Sequence, residues 1–426
     1  MIVRGGTLVT ARGADRMDIE VVDRRVNAIG RDLEARGEEI DATGFHVFPG
    51  GIDSHVHFNE PGRTEWETIA NGSAALAAGG YTSFIDMPLN SAPVTTTVDA
   101  FDLKLEAAKR SSVVDFGLWG GLVPGNVDQL RGLVHRGVVG FKAFMCPSGI
   151  DDFPHCDSET LRQGMERIAE LNSILLVHAE APALLSVPKG TRALDFIRSR
   201  PVDAEVEAIG EAIEMAREAG CPLHIVHVST VPGITLIQEA QLRGDDVSGE
   251  TCPHYLLYDE EDMLRLGGFG KCAPPFRSAG NRDVLLAMVA SGEIEMVVSD
   301  HSPSTLVLKQ GDDYAKVWGG ISGCQSTRQL MLAQPNLDPT VIAAATATNI
   351  ARRFRLLNKG DIAPGFDADL WIVDLSHEDV VRRDDLLYRN RFSAHEGQRI
   401  RGKTIKTLVR GREVGHGELI RPGARS

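Results

Sequence analysis

From Val47 onward the chain alternates short, nearly unbroken apolar runs with stretches in which apolar residues recur every three or four positions. Eight apolar runs read as strands, at residues 47–57, 81–87, 115–122, 138–145, 174–179, 222–228, 246–252 and 295–300. Helical patterns lie between them, at 73–78, 97–109, 159–171, 203–219 and 281–290. Runs that are apolar on both faces belong to parallel strands covered by helices. Eight such units predict a closed (β/α)8 barrel of the TIM type. An open doubly wound sheet ranks lower, because no GxGxxG turn follows the first strand.

The two ends have a different texture. Ile19-Glu-Val-Val and Arg25-Val-Asn-Ala-Ile are short and β-branched, with turn signals at Gly5-Gly6, Asp23-Arg24 and Gly44. After Asp367 strands return, at Asp369-Leu-Trp-Ile-Val-Asp and at 404–409. The two ends are expected to pair into one small discontinuous β-sandwich domain. The expected organisation is residues 1–48 and 365–426 in that domain and 49–364 in the barrel.

Composition narrows the class only a little. The 426 residues are 42% hydrophobic and 24% charged, as in an ordinary globular protein. A net charge of −14 argues against nucleic acid or an anionic membrane as a partner. No run of about 18 apolar residues occurs, so no membrane span is expected. The N-terminus lacks an apolar signal core. The six cysteines form no CxxC pair and read as reduced thiols, so a cytoplasmic protein is expected.

Barrel active sites sit at the C-terminal ends of the strands. The polar residues there are His55, His57, Asp86, Lys142, His178, His227 and Asp300. His55 and His57 are two apart, so on a strand both face the interior, where a metal ion would satisfy them. Lys142 stands in the apolar run Val138-Val-Gly-Phe-Lys-Ala-Phe-Met. A desolvated lysine is neutral and reactive, and its amine can capture carbon dioxide as a carbamate able to bridge two metals. His224 is three residues before His227, so parity sends it to the opposite face, and His227 is chosen as the ligand. Asp300 ends its strand and can bind metal and shuttle a proton. His301 and His254 are weaker candidates. Four histidines, a carbamate and one aspartate suit a two-metal centre that holds hydroxide and polarises an amide carbonyl. Zn²⁺ fits these donors, with Mn²⁺ or Co²⁺ as alternatives.

Several motifs, in this order, carry a family resemblance. They are Pro49-Gly-Gly-Ile-Asp-Ser-His-Val-His, Gly140-Phe-Lys, Val177-His-Ala-Glu, Ile225-Val-His-Val-Ser, Glu250-Thr-Cys-Pro-His-Tyr-Leu, Ser299-Asp-His-Ser-Pro and Ile362-Ala-Pro-Gly-Phe-Asp-Ala-Asp-Leu. The chain resembles the cyclic amidohydrolases, which include dihydroorotases, hydantoinases/dihydropyrimidinases and allantoinases. The resemblance implies that His55 and His57 bind the more buried metal and that His178 and His227 bind the second. It makes Lys142 an N6-carboxylysine bridge and Asp300 a metal ligand and general base. It also implies a homotetramer.

Ring choice turns on other residues. Dihydroorotase-like sequences usually place an arginine two residues after the HxH pair to hold a substrate carboxylate; here Asn59 stands there. Arg63 lies four residues further on and could reach back. The tyrosine of hydantoinases is replaced by Pro147 and Ser148. The stretches 59–67, 86–91 and 148–154 look like those of allantoinases. The expected substrate is therefore a cyclic ureide, with hydantoinase/dihydropyrimidinase and then dihydroorotase activity as alternatives. A catalytically dead scaffold would have lost ligands, whereas all six are present. Asn59, Arg63, Asn90, Gly320 and Ser322 are the expected ring contacts. Segment 302–318 reads as a lid.

Overall fold

The computed structural model describes residues 1–35 and 37–424. Strands β1 (Ile2–Thr10), β2 (Gly13–Val22), β3 (Arg25–Gly30), β4 (Glu39–Asp41) and β5 (His46–Pro49) open the chain. The barrel strands follow: β6 (Gly51–Val56), β7 (Tyr81–Asp86), β8 (Asp115–Leu118), β9 (Gly120–Gly121), β10 (Phe141–Phe144), β11 (Leu175–His178), β12 (Leu223–Ile225) and β13 (Val247–Gly249). β14 (Leu370–Val380), β15 (Arg399–Val409) and β16 (Arg412–Glu413) close the chain.

The barrel is a ring of parallel pairings. β6–β7–β8 form one arc and β9–β10–β11–β12–β13 the other. β8 and β9 are one predicted strand, interrupted at Trp119. The expected eighth strand, 295–300, forms no ladder. It closes the ring through single parallel bridges, Thr251 to Val297 and Val56 to His301. β10 and β11 are buried along their whole length, as parallel strands covered on both faces must be.

The predicted helices are present, at Ile69–Ala78, Val98–Ser111, Ser158–Glu170, Val202–Ala219 and Ala279–Ser291. Side chains of Thr68, Thr97, Asp157 and Ser278 cap four of them by accepting a hydrogen bond from an N–H in the first turn.

The two ends do pair, in one eight-stranded sheet of order β16-β15-β14-β5-β1-β2-β3, with β4 also on β1. The hydrogen-bonded ladder thus runs without a break through strands of both ends. The single run expected from 47 to 57 divides at Gly50, giving β5 to this sheet and β6 to the barrel. A separate apolar core fills the sheet, drawn from Val3, Ile19, Val47, Leu370, Ile372 and Leu408.

Candidate active site

The strand ends converge on a cavity of about 390 Å³. His55 lies in β6, and His57 follows it. Their rings are 5.6 Å apart. Both reach one carboxylate oxygen, Oδ1 of Asp300: Nε2 of His55 at 3.3 Å and Nε2 of His57 at 3.5 Å. His178 ends β11, stacked on Phe144 at 4.7 Å. Its Nδ1 is 3.0 Å from Nε2 of His227. The His227 ring is 5.4 Å from that of His55, so the two halves of the predicted set meet.

His227 and Asp300 have left-handed backbones, with φ of 39° and 44°. This conformation is uncommon outside glycine and marks a backbone held for a purpose. It also breaks the strict alternation expected of these strands. His224 is therefore not turned towards the helices. It lies 3.1 Å from Oε2 of Glu250, whose Oε1 is 2.6 Å from Nδ1 of His55.

Burial sets the charge states. It lowers the pKa of His57 and His178, and that of His227 well below the ordinary value, so these rings are neutral with free lone pairs. Burial alone would raise Asp300, but the neighbouring His55, His57 and His227 hold it far below the usual carboxylate range. Lys142 is fully buried, and desolvation lowers its pKa to about 7. Among the described residues its Nζ and the Nδ1 of His227 have no hydrogen-bond partner. Unpartnered buried donors and neutral imidazoles around one carboxylate form a donor set suited to metal ions. Ligand atoms of His55, His57 and Asp300 lie within 4.8 Å of one another. The residues fit metal ions and a lysine carbamate. Cys146, His178 and Glu180 are also close together, but Arg200 already grips Glu180 with Nε at 3.0 Å and Nη2 at 2.5 Å.

The expected ring contacts divide. Asn90 and Gly320 line the cavity. Asn90 Nδ2 is 3.4 Å from Nδ1 of His57. Gly320 has φ +143°, and a Cβ there would lie 2.4 Å from the Ser302 carbonyl, so only glycine fits. Asn59, Arg63 and Ser322 do not line it. Asn59, with φ 60°, turns its amide to the Pro303 carbonyl at 3.5 Å. Arg63 stacks on Trp66, 5.0 Å from the ring. The Ser322 carbonyl accepts a hydrogen bond from Ser393. Asp86 pairs with buried Lys104 at 2.8 Å and accepts from the Phe58 N–H, which fixes the chain just beyond His57.

The Amidohydrolase family model matches residues 46–414. The chain belongs to the amidohydrolase family. An allantoinase of Rubrobacter xylanophilus is 49% identical over 99% of this chain and 96% of its own. One from Bacillus velezensis is 44% identical over 97% and 93%. Among solved structures, an L-hydantoinase (dihydropyrimidinase) from Arthrobacter aurescens superimposes with a TM-score of 0.94, at 32% identity and 99% coverage of both chains. The resemblance read from the motifs is borne out, and so is the barrel with its β-rich domain.

For an amidohydrolase, the cavity walls hold residues that sequence reasoning missed. Arg200 and Lys271 line it, beside Trp318 at the end of the segment read as a lid. Arg200 stands in Ser199-Arg-Pro, with no periodicity or motif to single it out. Glu250 was visible inside its motif, but its service to both His55 and His224 was not.

Proposed function

We propose that this amidohydrolase opens the hydantoin ring of allantoin to give allantoate. The observation that carries the choice of ring is that every cation lining the cavity is committed elsewhere. Arg200 is held by Glu180. The Lys271 ammonium donates to three main-chain carbonyls. Lys316 pairs with Asp313 at 3.2 Å on the exposed side. A ring bearing a carboxylate, such as dihydroorotate, would find no uncommitted side-chain cation among the described residues to pair with it. An uncharged cyclic ureide has no such need. The relatives named allantoinase support the same reading.

His55, His57, carboxylated Lys142, His178, His227 and Asp300 would hold two divalent ions, with Zn²⁺ best suited and Co²⁺ or Mn²⁺ compatible. Such ions, when bound, supply Lewis acidity to the ring carbonyl and lower the pKa of water. Asp300 is ionised and stands within reach of both sides of the centre. It takes a proton from the attacking water and returns it to the ring nitrogen as the C–N bond breaks. Water oxygen ends on the carbonyl carbon, and the acid so formed releases its remaining proton to solvent, leaving a carboxylate and a ureido N–H. Asn90 and the backbone around Gly320 orient the ring.

The organisation proposed with this activity is residues 49–364 as the hydrolase barrel, with 1–48 and 365–426 as the β domain. No helix among the described residues is long and apolar enough to cross a membrane. A cytoplasmic homotetramer is the proposed working form, and sedimentation equilibrium tests the subunit count.

The deciding experiment compares hydrolysis of allantoin, hydantoin, dihydrouracil and dihydroorotate on one preparation of known metal content. Allantoin is expected to be opened fastest. Opening of another ring with no action on allantoin sinks the substrate assignment. Preference for hydantoin or dihydrouracil would match the hydantoinase neighbours instead.

A further inference from the structure

Two lysines sit beside the cavity, and neither forms an ion pair among the described residues. Lys271 and Lys309 are only 5% and 3% exposed. A buried ammonium without a carboxylate is costly unless its protons are satisfied. Here the acceptors are main-chain carbonyls of one segment, 314–320. Lys271 Nζ donates to Tyr314 at 2.7 Å, Ala315 at 3.0 Å and Val317 at 2.6 Å. It also lies 4.8 Å from the Phe196 ring and 5.4 Å from the Tyr314 ring. Lys309 Nζ donates to Trp318 at 3.0 Å and to the Gly320 carbonyl. The backbone adds a further clamp, because Gly320 N–H donates to the Lys271 carbonyl at 2.7 Å.

The segment so gripped is one wall of the cavity, where Val317, Trp318, Gly319 and Gly320 face the site. It lies at the end of the stretch read as a lid. Within the described residues, the N–H of Gly319 makes no hydrogen bond. The lysines occupy the carbonyls of this wall, and the Gly319 donor is left unspent.

We infer that Lys271 and Lys309 are positioning residues that latch segment 314–320 in place, so that its backbone meets the ring of the substrate. The inference rests on the proposed cyclic-ureide reaction for its substrate but not for the latch itself. Loss of either lysine would strand buried carbonyls, and the wall would rearrange to hydrate them. The ligands and Asp300 lie on other elements, so binding should suffer more than chemistry.

The test uses the metal-loaded enzyme and its Lys271→Met and Lys309→Met variants. Kinetic constants, metal content and amide hydrogen exchange across 305–320 are measured together. Each variant is expected to keep its metal, to raise KM about tenfold or more with kcat changed less than about threefold, and to exchange faster at 314–320. Unchanged exchange overturns the latch. Faster exchange with an unchanged KM overturns its role in substrate placement. A parallel fall of kcat and metal content, or failure of both variants to fold, marks a general structural role and also overturns it. If the wild type opens a ring other than allantoin, the same constants are read on that ring. A wrong substrate assignment is thereby separated from a wrong latch.

Discussion

Oε1 of Glu250 lies 2.6 Å from Nδ1 of His55, with both groups buried. Burial would raise the Glu250 pKa, but hydrogen bonds from His224 and His55 lower it to about 2. An ionised carboxylate can only accept, so Nδ1 of His55 carries the proton and Nε2 keeps its lone pair towards Asp300. Glu250 thereby fixes the tautomer that binds metal. Glu250→Gln keeps the volume but removes this constraint. Metal affinity or activity is expected to fall about 10- to 100-fold. Metal analysis after dialysis, with circular dichroism as a folding control, checks this.

Lys142 makes a second prediction. Carbamate formation needs the neutral amine, and burial lowers this lysine to about 7. Below that pH the protonated form dominates, and above it the neutral form does. At fixed dissolved carbon dioxide, reactivation of the metal-free enzyme by Zn²⁺ should therefore quicken about tenfold between about pH 6 and pH 8. Lys142→Ala should recover neither metal nor activity at either pH. Recovery rates that ignore both pH and carbon dioxide would rule out the carbamate.

Much of this site was legible because its geometry follows from strand periodicity. His55 and His57 point inward together as residues two apart must. Lys142 stood out as a charge in a run buried on both faces. His227, preferred over His224 because it is nearer the strand end, faces His178, but the parity used to separate the two does not hold. The left-handed turn at His227 is a tertiary feature with no mark in the sequence. The same holds at Asn59, whose φ of 60° swings the side chain from the cavity. Arg200 and Lys271 were invisible because their partners come from distant segments. The eighth strand was legible as an apolar run, yet it closes the barrel by isolated bridges, because Asp300 bends away at its end.

A charge cluster ties the barrel to the β domain. Lys359 Nζ lies 2.6 Å from Asp115 in β8, 2.7 Å from Asp369 just before β14, and 3.0 Å from Asp367. Arg410 also reaches Asp115. Lys359→Met would leave these carboxylates short of a cation, at a cost of about 3–5 kcal/mol. For a chain of this size that is a fall in Tm of about 3–6 °C at neutral pH. The sign with pH follows from protonation. Burial already raises the Asp369 pKa and Lys359 opposes that rise, so without the lysine Asp369 stands further above its unfolded value and the folded variant binds a proton that the unfolded chain does not. The deficit should shrink as pH falls towards about 5. Calorimetry of both proteins across that range checks the size and the direction.

Asn90 and Asn59 give the sharpest contrast between position in sequence and position in space. Both have left-handed backbones, with φ of 71° and 60°. Asn90 lines the cavity beside His57, whereas Asn59 faces the Pro303 carbonyl. Substitution by glycine removes each amide and still permits the backbone conformation, so strain does not confuse the comparison. Asn90→Gly is expected to raise KM for the ring about tenfold, the size of one lost hydrogen bond to a substrate. Asn59→Gly should leave KM within about twofold and act, if at all, on stability, because its amide holds only a neighbouring loop. Steady-state kinetics on the two variants decides. A larger KM effect at Asn59 would mean that this loop re-forms around the substrate and brings the amide into the site.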